Sequence, residues 1–418
     1  MKEMNIEKQQ SGMEYWKKVI IMLCLGWVTI WIYRSALTPI FPEIQETIGK
    51  YTNTQMGLIS SCYFFGYTGM QIPAGILVDK LGKKKVLIPG FILFGLAAVM
   101  ISMSQSISTI YIASVFAGIG CGSYYGSAYS LSSESIPEEK RGLSTAIINS
   151  GSAVGMGLGL IGSSLIVKQM GMPWQTMMYI CIVAIIAMLV IFIVVIKPEE
   201  KTVKVVKETE QEVPVEKTKM DVKKLFSLKM ITAYLLYFGT CYGYYMVVTW
   251  LPSFLQEERG FQGLAIGFSS ALVAFSAIPG ALFFSRLSDK HRNKKITFIF
   301  GLEIAAALML LLTVLAPSSG ILLVALILYG LLGKLAVEPI IISYIADSAS
   351  KENYGTTFGV FNFFGMSSSV IAPALTGFIS DNTGSKIMGF YISAIILVIT
   401  TISFVMVNKN KKNAKQII

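Results

Sequence analysis

Three ionisable residues stand where hydrocarbon would surround them. Arg34 lies inside the apolar run 19–40, Lys334 inside the apolar run 320–346, and Glu338 follows Lys334 by one helical turn. A charge at mid-bilayer costs about 2.5–3.5 kcal/mol even on insertion scales, so such a residue persists only with a partner or a task. A guanidinium cannot be discharged, and its planar fork matches a carboxylate or a phosphate. A lysine beside a glutamate offers a cation for which an arriving anion can compete. The chemistry on offer is electrostatic recognition of an anion. Structural readings stay open beside it. Arg34 can snorkel to the nearer interface, because Pro39 and Pro42 follow within two turns. Lys334 and Glu338 can be a pair that merely neutralises itself. Glu303, two turns from Lys294 and Lys295, is expected to reach the interface on that side as a structural group.

Composition says what must carry these charges. The chain has 418 residues, of which 54% are hydrophobic and 14% charged, with a mean hydropathy of +0.63. Soluble domains carry about 25% charged residues, so a cytosolic enzyme and a disordered chain are both excluded. One His and five Cys without CxxC spacing leave no metal-ligand set. Cys24, Cys62, Cys121, Cys181 and Cys241 read as packing thiols, and neither metal nor cofactor is expected. The net charge of +11 does not call for nucleic acid, because the basic residues are scattered between apolar runs. That pattern points to a lipid bilayer.

A spanning helix needs about 20 apolar residues. Runs of that kind fall at 19–40, 55–78, 86–104, 107–133, 142–167, 174–196, 230–255, 263–287, 296–316, 320–346, 355–380 and 387–407. With twelve alternating spans, 29 of the 35 Lys and Arg fall on one side; Lys50, Lys168, Arg259 and Lys386 fall on the other. The positive-inside rule then puts both termini in the cytoplasm of a multi-pass cell-membrane protein. Residues 1–16 lack the form of a cleavable signal peptide. The segment 197–229 mixes Lys with acids and reads as a cytoplasmic linker between helical bundles 1–196 and 230–418. The two halves repeat. An offset of 213 residues pairs Pro39 with Pro252, Gly120 with Gly333, Glu134 with Asp347, Gly142 with Gly355 and Asn149 with Asn362. Duplicated six-helix halves are an architecture of transporters that rock one bundle against the other.

Gly75-Ile-Leu-Val-Asp79-Lys80-Leu-Gly82-Lys83-Lys84-Lys85, between the second and third spans, resembles the G-x-x-x-D-[RK]-x-G-[RK]-[RK]-[RK] signature of the major facilitator superfamily. Glu138-Glu-Lys-Arg141-Gly142 resembles the superfamily's E-x-R-G element. The resemblance covers the whole chain. It implies an all-α membrane fold of twelve helices in two pseudosymmetric bundles. It also implies a cytoplasmic gate drawn from Asp79, Lys80, Lys84 and Arg141, with Asp289 as the repeat counterpart of Asp79. Three further elements are similar to the anion:cation symporter and organophosphate antiporter branch. They are Arg34-Ser-Ala-Leu37, the Ser61 to Gly75 segment of the second span, and Trp250-Leu-Pro252 to Phe261 after the seventh.

Departures from that branch matter. Cys121 stands where its sugar-acid symporters carry a helix-four Glu, and Val247 where its organophosphate antiporters carry a second Arg. Lys334 is the repeat counterpart of Cys121. The signatures of drug/proton antiporters in the fourth and fifth spans are missing. Gly157-Leu-Gly159-Leu-Ile-Gly162 matches a dinucleotide fingerprint, but no strand precedes it, and small-residue helix packing accounts for it.

Aromatic and amide side chains would complete a central cavity. Tyr67 and Gln71, Tyr124 and Tyr125, Tyr244 and Tyr245, and the repeat pair Asn149 and Asn362 are the candidates. The expected function is secondary active transport of a small organic anion, a carboxylate or sugar acid, by alternating access. Arg34 and Lys334 face the substrate from opposite halves. With Glu338 ionised the three charges sum to +1, which suits a monocarboxylate or zwitterion; with Glu338 protonated they suit a dianion. Glu338 is thus the candidate for coupling protons to substrate. Organophosphate exchange for phosphate and a permease-like membrane sensor are the alternatives. No nucleophile–base constellation supports an enzyme. A monomer is expected.

Overall fold

The computed structural model describes residues 14–137, 141–197, 225–348 and 354–409, the side chains of 141–143, 354–356 and 409 excepted. Most of the expected linker, and the side chain of the expected gate residue Arg141, lie outside the described residues. Every regular element among the described residues is a helix, and no strand occurs there.

The first half begins with α1 (Tyr15–Ala36), which passes through a 3-10 turn at Thr38–Ile40 into α2 (Phe41–Ile48). It continues with α3 (Asn53–Leu81), α4 (Lys83–Ser102), α5 (Ile107–Ser135), α6 (Arg141–Ser163) and α7 (Gln175–Val195). The second half holds α8 (Leu228–Glu257), α9 (Leu264–Lys290), α10 (Lys295–Leu315), α11 (Ser319–Leu332), α12 (Lys334–Ser348), α13 (Tyr354–Thr383) and α14 (Ile387–Lys409). Ten stretches are long and apolar enough by themselves to cross a membrane. The other two expected spans, α3 and α8, run 29 and 30 residues and carry seven of the nineteen tyrosines. Most of α8 is buried in protein, which relieves it of the need to be apolar throughout.

One expected span is interrupted. The run 320–346 is two helices, broken at Gly333, so Lys334 opens α12 instead of lying mid-helix. Helix starts elsewhere are fixed by local chemistry. Thr52 forms a capping box with Gln55, each backbone N–H donating to the other's side-chain oxygen. Ser106 and Ser318 accept from the backbone at the starts of α5 and α11.

Small residues set the closest approaches. A Cβ added at Gly151, Gly155 or Gly159 of α6 would sit 2.4, 2.3 or 2.5 Å from the carbonyl oxygens of Cys24, Val28 and Ile32 of α1. The spacing of four puts all three glycines on one face, and of the segment expected to pack closely, Gly159 faces α1 while Gly157 faces the Phe275 ring.

Within the first half α3 and α4 pack on α5, and α1 packs on α6 and α7. Within the second, α8 packs on α13 and α14, and α9 on α11 and α12. The halves meet along α3 with α13 and α6 with α9. Polar ties join them at the end away from the lysine-rich α3–α4 and α9–α10 junctions. The Asp381 carboxylate accepts from the backbone N–H groups of Asn53 (2.7 Å) and Thr54 (2.8 Å). Lys168 reaches both Glu43 and Gln256 at 2.7 Å. At the lysine-rich end each half carries its own ion pair, Lys83 with Glu134 and Lys295 with Asp347.

Candidate functional site

Arg34 lies in the last turn of α1, where unpaired carbonyls favour a cation. Its Nε donates to the Tyr63 hydroxyl at 2.6 Å. The guanidinium lies over four rings: Tyr67 at 4.2 Å, Trp31 at 4.8 Å, Tyr63 at 5.0 Å and Phe64 at 5.4 Å. Ring quadrupoles stabilise a cation without neutralising it. No carboxylate pairs with Arg34 among the described residues, and its Nη2 is buried without a hydrogen-bond partner. Cys121 of α5 is fully buried against Tyr63 and within electrostatic reach of Arg34. The group of α5 nearest this cation in charge terms is thus a neutral thiol.

Lys334 sits at the opposite kind of helix end. The first turn of α12 is the positive pole of its dipole, which disfavours a cation there. Glu338 compensates: its Oε2 accepts from Lys334 Nζ at 2.8 Å, and its Oε1 accepts from the Tyr237 hydroxyl. The pair is largely buried, with side-chain exposures of 10% and 21%. Lys334 also lies 5.4 Å from the ring centre of Tyr244.

The two cations look onto one region. Trp31, under Arg34, meets Tyr244, under Lys334, edge to face at 6.4 Å. Phe64 meets Tyr245 across the halves at 4.7 Å, and Tyr245 lies within electrostatic reach of both cations. Tyr125 and Tyr129 of α5 are each 39% exposed yet within reach of Glu338, so they border the open space between the halves. Asn149 is exposed next to Tyr129.

Other expected residues are placed differently. Asn362 donates to Gln71 at 2.5 Å, so these two amides tie α13 to α3. Tyr124 is buried and donates to the Leu23 carbonyl, which takes it out of the cavity. Tyr244 and Tyr245 point their hydroxyls at Met156 and Met366. Val247 is buried. Asp79, Lys80 and Asp289 are exposed, whereas Lys84 donates to the Ile193 and Ile196 carbonyls at the end of α7.

Glu303 corrects an expectation. It does not reach the interface; it is 1% exposed and hydrogen-bonded to Thr240 of α8. Counting turns from Lys295 measured its height along α10 and said nothing of its direction. The sequence reading also passed over Trp31, Tyr63, Tyr129 and Tyr237. Spacing offered a signal for two of them, since Tyr63 precedes Tyr67 by four residues and Tyr237 precedes Tyr244 by seven, each on the same helical face.

The family description Major Facilitator Superfamily matches residues 23–373. A second, Vacuole effluxer Atg22 like, matches residues 350–416. The chain is 26% identical to a hexuronate transporter of Bacillus subtilis over 93% of both chains. It is 24% identical to a D-galactonate transporter of Escherichia coli over 91% of this chain and 92% of that one. A cis,cis-muconate transport protein of Acinetobacter baylyi is 23% identical over 93% of both. The fold is similar to the crystal structure of a bacterial homologue of the human lysosomal transporter Spinster, inward-facing and occupied. Their TM-score is 0.77 at 14% identity, covering 96% of this chain and 98% of that one. With the matched family spanning most of its helices, the chain belongs to the Major Facilitator Superfamily and is a multi-span membrane transporter, not an enzyme.

Proposed function

We propose that the protein carries a small organic anion across the plasma membrane by alternating access, with its lysine-rich end in the cytoplasm. The observation that carries this reading is Arg34: a buried guanidinium with an unpartnered Nη2 and no carboxylate beside it. A fixed, desolvated cation with a free donor is a preformed half of a charge-assisted pair. The substrate carboxylate supplies the other half. Relatives named for a hexuronate, a galactonate and a muconate are carriers of carboxylates of varied shape, which supports the class.

A second carboxylate, or the far end of the substrate, engages Lys334. To do so it displaces Glu338, whose freed carboxylate then takes a proton. Lining by Tyr67, Tyr125 and Tyr245 selects shape, and separating Gln71 from Asn362 gives the substrate two amides. The polar ties at the far end and the exposure of Tyr125 and Asn149 support reading this conformation as the one open to the cytoplasm.

Counterflow in proteoliposomes, run against D-glucuronate, D-galactonate, tartrate, muconate and glucose 6-phosphate, tests the reading. Exchange of one or more carboxylates is expected. Exchange of the sugar phosphate alone would replace this reading with organophosphate transport.

A further inference from the structure

Glu303 is a carboxyl group without a counter-charge. It is 1% exposed within α10, and among the described residues no cation pairs with it. Its Oε2 is buried with no hydrogen-bond partner. Its Oε1 meets the Thr240 hydroxyl of α8. That hydroxyl also lies 2.9 Å from the Leu236 carbonyl, one turn back on α8. A threonine hydroxyl has a single proton, and a carbonyl oxygen can only accept. A neutral Glu303 satisfies both contacts, with Thr240 donating to Leu236 and Glu303 donating to Thr240, whereas a carboxylate leaves one hydroxyl proton between two acceptors.

We propose that Glu303 is a proton-binding site, a neutral acid in this conformation, which exchanges its proton during the transport cycle. The surroundings fit a neutral acid. The ionisable groups facing it are Cys241 of α8 and Tyr329 of α11, neither of them a cation. Lys334 of α12 is committed to Glu338. Tyr391 of α14 lies near the start of that helix, at the other end of the bundle, and Lys409 is the last residue of the helix. An isolated carboxylate at this site would bear its full desolvation cost, so the proton is retained until water or a donor reaches Thr240.

The route to the substrate site runs along α8. Thr240 lies one turn from Tyr237, and Tyr237 donates to Glu338. A shift of α8 as the halves exchange sides moves both contacts together. The O–H bond of Glu303 then breaks, the proton passes to water admitted beside α8, and the carboxylate recovers a proton from the other side on return. This gives the second half a proton site separate from Glu338, whose two oxygens already accept from Lys334 and Tyr237.

Infrared spectroscopy of the full chain in lipid, without substrate, tests the protonation. A carboxylic acid C=O band is expected at neutral pH that Glu303→Gln removes and Glu338→Gln leaves. Glutamine copies the shape of the neutral acid, and Glu303→Asp, which should keep a band at shifted frequency, guards against misfolding. A spectrum unchanged by Glu303→Gln overturns the proposal. The coupling rests on the anion-transport reading and is tested with D-glucuronate under an inward proton gradient. Glu303→Gln should exchange D-glucuronate normally yet accumulate about tenfold less per unit of pH gradient, the loss of one coupled proton. Wild-type accumulation in that variant overturns the coupling role. Failure of the wild type to exchange D-glucuronate would strike the substrate reading instead, because the band is read without substrate.

Discussion

The guanidinium of Arg34 and the ammonium of Lys334 are held by different means, and the difference fixes how each responds to change. Arg34 relies on four rings, one tyrosine hydroxyl and the carbonyl end of α1. Replacing it with lysine keeps the charge but removes the fork, so uptake should fall by at least tenfold while membrane insertion is retained; near-normal uptake would return Arg34 to a structural role. Cys121→Glu would place a carboxylate beside Arg34. The new group is ionised at high pH and competes with substrate, and it is neutral at low pH. Anion affinity in Cys121→Glu should therefore fall as pH rises, a dependence measurable by counterflow from pH 5 to 8. Lys334 depends on Glu338. Removing Glu338 alone leaves an unpaired buried cation and should lower stability by about 3–5 kcal/mol. Lys334→Met combined with Glu338→Gln should restore folding, read by thermal unfolding, without restoring transport; a transporting double variant would make the pair structural only. The types and depths of these residues were legible in sequence, because charge inside an apolar run stands out. The cage around Arg34 was not, since a tyrosine in a span serves interhelical contacts as readily as a cavity.

At the scale of elements, the length of the apolar runs located helices at all twelve expected spans. What they missed was the break at Gly333, because hydropathy averages over backbone geometry. A Cβ added at Gly333 would lie 2.6 Å from the Tyr329 carbonyl oxygen, so the junction must shift to admit one. Lys334 is the first residue beyond that junction. Gly333→Ala should thus reach the membrane in normal amounts and yet transport with a raised apparent KM, by displacing the lysine from its place beside Tyr244. A variant with unchanged KM would show that the break tolerates a side chain. The orientation of Glu303 was hidden for a related reason. Helix α10 is apolar all round, and nothing in its residues distinguishes the face turned to α8 from the face turned to lipid.

Across the whole molecule, α3 and α13 lie side by side with an aspartate near the C-terminal end of each, Asp79 and Asp381. Asp381 caps the start of α3 through two backbone N–H groups and the Thr54 hydroxyl. Asp79, at the other end, is exposed. Asp381→Asn weakens a helix cap that bridges the halves, by about 1 kcal/mol. Spin labels at Lys50 and Asn382 should then report a population of longer distances raised about fivefold; an unchanged distribution would show that the tie does not set the balance. The aromatic seam between the halves has a consequence of a different kind. Trp31 is 7% exposed and touches Tyr244 from the other bundle, so its indole changes surroundings whenever the bundles part. The protein therefore contains its own optical probe. The emission lost in Trp31→Phe is the component that should shift to the red as the seam takes up water, which allows the motion to be followed without attaching a dye.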